Sequence, residues 1–169
     1  VYRRDTSRPK STMLSSTDFN DIVCMDLKTL STGETFLHVI DLFTRFSATT
    51  IIPNKKSETI IKTLYKIWIT IFGPAKCFFT DNGGEFVNDN FLAMCEGLGI
   101  VVRTTAAYAP YSNGVCERHN GLIAETFNKI ISDVECNEEI ALAWATNAHN
   151  SLCNSYGFSP YTLVFGRNP

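Results

Sequence analysis

Three acidic residues stand where a carboxylate needs a reason. Asp26 interrupts the apolar run "IVCMDL" (22–27), Asp81 follows "KCFFT" (76–80) and opens "DNGG", and Glu117 lies in "YSNGVCERHN" (111–120), near the start of a helical pattern. An unpaired carboxylate inside an apolar strand costs on the order of several kcal/mol, so Asp26 must be paired or bound to something. Three carboxylates brought together repel one another and raise one another's pKa values unless a cation neutralises them. Hard divalent ions with oxygen ligands do this, and two of them about 3.5–4 Å apart can clamp the attacking and leaving oxygens of a phosphoryl transfer. Each acid alone has an ordinary alternative. "DNG" strings end strands as Asx turns, and an isolated helical glutamate is usually a solvated face. Asp41, which ends the neighbouring run "FLHVI" (36–40), competes with Asp26. If residues 28–35 connect the two runs as a hairpin, Asp26 faces roughly residue 37, which leaves Asp41 about 13 Å further along the strand. Asp26 is therefore preferred, and Asp41 is read as a turn or cap residue.

The elements that must position these acids follow from periodicity. "IVCMDL", "FLHVI" and "FSATTIIP" (46–53) are short and rich in β-branched and aromatic residues, with a Thr32-Gly33 turn between the first two; they predict an antiparallel meander. From a Ser57 N-cap the period becomes helical, through Ile60, Ile61, Leu64, Ile67, Trp68 and Ile71, until Gly73-Pro74 stops it. A strand at 76–80 and a helix from Asn88 through Phe91, Leu92, Cys95 and Leu98 come next, then a strand at 100–105. A long helix runs from about Ser112 to Asp133 with the stripe Ile123, Phe127, Ile130 and Ile131. Asn137 caps another helix, with Ile140, Ala141, Trp144, Ala148 and Leu152 on one face, and Ser159-Pro160 opens a short last one. Trp68 and Trp144 are read as core. The order β-β-β-α-β-α-β-α matches the ribonuclease H-like plan, an α/β fold with a mixed five-stranded sheet flanked by helices. Asp81 then sits at the carboxyl end of an inner strand, where open α/β sheets place ligands, and Gly83-Gly84 lets the backbone turn there. Asn113, Asn120 and Gly121 share the helical face of Glu117. His119 points to another side of that helix, and Cys116 reads as core.

At 169 residues and 44% hydrophobic, the chain has the size of one globular domain. It contains no apolar run of about 18 residues that would suggest a membrane span. Its first residue, Val1, and the basic lead "VYRRDTSRPK" suggest a fragment whose residues 1–14 are a connector to a domain over 15–169. Six cysteines stand singly, with no CxxC pair, so neither a disulfide framework nor a zinc site is signalled, and reduced thiols in an intracellular setting are expected. A net charge of −2 argues against a protein that grips nucleic acid by its backbone alone. Two bound divalent ions would add four positive charges at the site itself.

Taken together, the acids are separated by 54 and then 35 residues. With "CMDL", "FFTDNGGEF", "GIVVRTTAAYAPYSNGVCERHN" and the closing "SPYTLVFGRNP", the chain resembles the catalytic core of retroviral and LTR-retrotransposon integrases, the D,D(35)E polynucleotidyl transferases, and most of all those of Ty3/gypsy-type or related transposons. The resemblance covers residues 15–169. It implies that Asp26, Asp81 and Glu117 are catalytic and bind two Mg²⁺ ions, with Mn²⁺ as a substitute. It implies 3′-end processing and joining of element DNA to target DNA, and DNA contacts by Asn82, Tyr108, Pro110, Tyr111, Ser112, Asn113, Asn120 and Gly121. It further implies a homo-oligomer, at least a dimer, formed through the helices that carry Trp68 and Trp144, and work in the nucleus after assembly in the cytoplasm. Two alternatives remain: a domesticated relative that only binds DNA or protein, and a ribonuclease H-type nuclease.

Overall fold

The computed structural model describes residues 16–104, 114–152 and 157–169. The expected connector 1–14 and the segment 105–113 lie outside them. One five-stranded mixed sheet organises the chain, in the order β3-β2-β1-β4-β5. Strands β1 (Ile22–Thr29), β2 (Thr35–Asp41) and β3 (Ser47–Ile52) form the expected antiparallel meander, while β4 (Cys77–Thr80) runs parallel to β1 and β5 (Val101–Thr104) parallel to β4. Gly33, at φ 98°, makes the β1–β2 turn in a conformation that glycine tolerates best.

Alternation along the strands divides the core. Val23 and Met25 of β1, Leu37 and Val39 of β2 and Phe78 of β4 point to one face. There they meet Ile60, Leu64 and Trp68 from the first helix and Phe91 and Cys95 from α3 (Asp89–Gly97). Cys24, Phe36, Ile40 and Phe79 point to the opposite face, covered by α4 (Gly114–Asp133) and α5 (Glu138–Ser151). Asp26 follows Met25 by one residue and so belongs to the α4 face.

Three expectations need correction. Ser57 is not the N-cap: Lys56 holds that place without a side-chain bond, and the Ser57 hydroxyl donates instead to Asn88 Oδ1 at 2.7 Å. The first helix is not uniformly α. After α1 (Ser57–Leu64) it widens into a π-helical segment (Tyr65–Ile69) before the single turn of α2 (Thr70–Phe72). The wider turn changes the phase of the apolar stripe, burying Ile69 and leaving Ile71 61% exposed. Trp68 is core, its indole N–H donating to Asn20 Oδ1, but Trp144 is not. Helix α5 packs through its small and polar face, with Ala141, Leu142, Ala145, Thr146, His149 and Asn150 buried, and turns Ile140, Trp144 (51% exposed) and Leu152 outward. Small side chains let the helix backbone approach α4 and the sheet, and the bulky stripe is left on the opposite side.

Asn150 also ties α5 to the outer strand, its Oδ1 accepting from the Ser47 N–H and its Nδ2 donating to the Ser47 carbonyl, both at 2.8 Å. Among the described residues five cysteines are free; Cys24, Cys77, Cys95 and Cys116 are buried and Cys136 partly so. Among the described residues no helix is long and apolar enough to cross a membrane.

Candidate active site

Register brings the first two acids together. In the parallel ladder Ile22 faces Cys77 and Cys24 faces Phe79. The same offset carried two residues further sets Asp81, just past the end of β4, beside Asp26. In the antiparallel ladder Asp26 faces His38, one residue from the expected partner, and Asp41 faces Val23 three residues away. Asp41 is fully buried and builds a turn. Its Oδ2 accepts from the Thr44 N–H and hydroxyl at 2.6 and 2.7 Å, and its Oδ1 from the Asn20 N–H at 2.9 Å.

Helix α4 supplies the third acid. Cys116, Asn120, Ile123 and Phe127 are its buried stripe, which seats the helix over β1 and β2 and leaves Glu117 exposed in the first turn. Burial lifts the Asp26 carboxyl to about 6, the Leu27 N–H bond opposes that rise, and the charges of Asp81 and Glu117 push the same way as burial. The three acids therefore share one electrostatic neighbourhood. Among the described residues, however, no three His, Cys, Asp or Glu side chains crowd closely enough to enclose a metal ion.

The carboxylates are differently held. Asp26 Oδ1 accepts from the Leu27 N–H at 2.8 Å and Oδ2 from Asn120 Nδ2 at 2.6 Å. Asp81 Oδ1 accepts from the Gly83 N–H at 2.9 Å, an Asx-type turn. Gly83 is crowded: a Cβ there would lie 2.7 Å from Glu85 Oε2 and 2.9 Å from Asp81 Oδ1, whereas one on Gly84 would meet nothing within 4 Å. The loop closes through the Phe86 and Val87 N–H groups, both donating to the Gly83 carbonyl. Asn88 anchors it further, its Nδ2 donating to the Gly84 and Glu85 carbonyls while its Oδ1 caps α3 at the Phe91 N–H. By their chemistry, though not by their present spacing, these oxygens suit a hard divalent cation. Acceptor-only oxygens repel one another at a half-buried site, and a cation of the same preference would relieve that charge.

Of the residues expected to meet DNA, Asn82 is exposed beside Asp81 and Gly121 is exposed on α4. Asn120, implied by the resemblance to meet DNA, is only 2% exposed, and both ends of its amide bond protein groups. Its place in the buried stripe, four residues after Cys116 and three before Ile123, was the available signal. Tyr108, Pro110, Tyr111, Ser112 and Asn113 lie outside the described residues. Sequence reasoning missed His38, which alternates with Phe36 and Ile40 on the same face as Asp26 and is wholly buried. His119 packs edge-to-face on His149, with ring centroids 4.8 Å apart.

Comparison with known proteins bears on the family and the fold. A family model described as "Integrase core domain" matches residues 17–110. The retrovirus-related Pol polyprotein from transposon 412 of Drosophila melanogaster is 31% identical over 117 residues, 69% of this chain and 10% of that protein. The Gag-Pro-Pol polyprotein of human T-cell leukemia virus 2 is 33% identical over 90 residues, 52% of this chain and 6% of that protein. The chain thus spans about a tenth or less of the length of these relatives. Among solved structures, the HTLV-2 integrase catalytic core domain in complex with magnesium superposes with a TM-score of 0.73 at 22% identity, covering 88% of this chain and 99% of that one. The BIV integrase catalytic core gives 0.72 at 21% identity, covering 84% and 91%. At such identities the likeness shows the fold, which is ribonuclease H-like.

Proposed function

The chain belongs to the integrase core domain family, and from that premise we propose that it performs metal-dependent DNA strand transfer, trimming a 3′ end of element DNA and joining it to target DNA. The observation that carries this is the register that sets Asp81 beside Asp26, with Asp26 bonded to Asn120 of the helix that bears Glu117; the lifted Asp26 carboxyl agrees with it. Two Mg²⁺ ions, held by Asp26, Asp81 and Glu117, would supply Lewis-acid activation of a phosphate and of the attacking oxygen. Asp26 presents a carboxylate tethered at both oxygens, and each oxygen keeps a lone pair for a ligand. Asp81 is held at the mouth of the sheet by its own loop. Glu117 is exposed in the first turn of α4 and would complete the set. No side chain of the trio need form a bond to DNA. The exposed Ile140 and Trp144 on α5, with Leu152 just past its end, support self-association of the core.

The test is a disintegration assay on branched DNA with Mg²⁺ or Mn²⁺, comparing the chain with Asp26→Asn, Asp81→Asn and Glu117→Gln. Each substitution is expected to lower the rate by about 100-fold or more. Activity that persists through all three would remove the mechanism.

A further inference from the structure

Behind Asp26, four side chains from four elements form one unbroken hydrogen-bonded line. Ser47 Oγ of β3 lies 2.8 Å from His38 Nε2 of β2, His38 Nδ1 lies 2.5 Å from Asn120 Oδ1 of α4, and Asn120 Nδ2 lies 2.6 Å from Asp26 Oδ2 of β1. Ser47, His38 and Asn120 are all buried. Within such an enclosure each polar atom must find its complement.

The direction of every proton follows from the charge at the end of the line. An ionised carboxylate only accepts, so the Asn120 amide must turn its NH₂ to Asp26 and its oxygen to His38. That oxygen also only accepts, so Nδ1 of His38 must carry the hydrogen. A neutral imidazole has one N–H, which makes Nε2 an acceptor and obliges the Ser47 hydroxyl to donate. Donors then point the same way at every step, an arrangement in which each bond polarises the next. Cys116 Sγ, 3.8 Å from the same Nδ1, can make only a weak contact and does not replace the Asn120 oxygen.

We propose that His38, locked by Ser47 as its Nδ1–H tautomer, is a positioning residue that sets the orientation of the Asn120 amide and through it aims Asp26 Oδ2 for metal binding. Without the imidazole N–H, the Asn120 oxygen is buried and unpaired, and the amide loses the partner that keeps its NH₂ on Asp26. Ser47 in turn is held at both backbone atoms by Asn150, so the line starts from a fixed point. This rests on Asp26 being a metal ligand, as proposed above.

The test uses the metal-free ¹⁵N-labelled chain, with Mn²⁺ alone as the probe. Long-range ¹H–¹⁵N correlation reads the His38 tautomer and the Asn120 side-chain NH₂ signals. Calorimetric titration reads Mn²⁺ affinity in the unsubstituted chain, Asp26→Asn, His38→Leu and Ser47→Ala. Expected are a protonated Nδ1, loss of Mn²⁺ binding in Asp26→Asn and roughly tenfold weaker binding in His38→Leu. Ser47→Ala keeps its backbone clamp, so it should fold even if His38→Leu does not, and should weaken binding by about threefold or more with the Asn120 NH₂ signals moved. An Nε2–H tautomer overturns the proposal. So does Mn²⁺ affinity that is unchanged in Ser47→Ala and in folded His38→Leu while Asp26→Asn abolishes it. Mn²⁺ binding that survives Asp26→Asn overturns the metal role of Asp26 itself, a failure the tautomer measurement tells apart.

Discussion

Acidifying the metal-free protein from pH 7 to pH 5 is expected to destabilise it, with His38 carrying most of the effect. Burial, with the nearby His149 and His119 adding to it, holds the His38 imidazole down at about 3 against an ordinary 6.5, although its bond to Asn120 opposes the shift. Above pH 6.5 the ring is neutral in both folded and unfolded chains. Below it the unfolded chain takes up a proton that the folded chain refuses, so stability present at pH 7 drains away until about pH 3. One pH unit is about 1.4 kcal/mol, so His38 alone removes about 2 kcal/mol by pH 5. His119, lowered to about 4 chiefly by burial, acts in the same sense. It is partly exposed, and solvent screening limits it to about 1 kcal/mol. Asp26 works in the opposite sense. Its folded value of about 6 lies above the ordinary 3.8, so from pH 6 towards 4 the folded state gains, by about 1 kcal/mol or less after the same screening. Buried His149 is shifted down and so adds to the loss, while the raised carboxyls of Asp41 and Glu34 offset it. The net loss of about 2 kcal/mol corresponds to a melting temperature lower by about 4–8 °C for a chain of this size. Urea denaturation followed by far-UV circular dichroism at pH 7, 6 and 5, with chelator present, measures it. A midpoint that holds steady or rises towards pH 5 would refute the reasoning.

Two further outcomes are expected. Gly83→Ala should lower strand-transfer activity by about tenfold, because its Cβ displaces either the Glu85 or the Asp81 carboxylate. Gly84→Ala, whose Cβ meets nothing, should leave activity within about twofold, and equal losses in both would sink the steric account. Trp144→Glu, at a half-exposed position of α5, should shift the sedimentation profile towards monomer while moving unfolding stability by no more than about 0.5 kcal/mol. An unchanged profile would separate this stripe from self-association.

Much of the architecture was legible in the amino-acid order. The change from period two to a helical period at Ser57, and back at Cys77, marks the mixed sheet and its crossover. That Asp26 needs partners was legible as well, because a carboxylate among Val23, Cys24, Met25 and Leu27 is anomalous on chemical grounds alone, and the Leu27 N–H and Asn120 supply them. The inward face of α5 was not. Ile140, Trp144 and Leu152 form a bulkier stripe than Ala141, Leu142 and Ala145, and hydrophobicity alone does not reveal that close helix packing favours the smaller set. The family resemblance points Asn120 towards DNA, whereas its spacing from Cys116 and Ile123 already places it in the buried stripe of α4. The π-helical segment at Tyr65–Ile69 left no mark in the periodicity, since Ile67, Trp68, Ile69 and Ile71 offer apolar residues to either phase.

The clamp of Asn150 on Ser47 bears on how copies of this domain can meet. Ser47 lies on the outermost strand, where an unanswered N–H and C=O would invite a foreign strand to add on. A carboxamide from the protein's own helix answers both groups, so strand addition at this point would first have to evict it. Growth of the sheet across two molecules is thereby discouraged on this border, and assembly is steered towards helical surfaces.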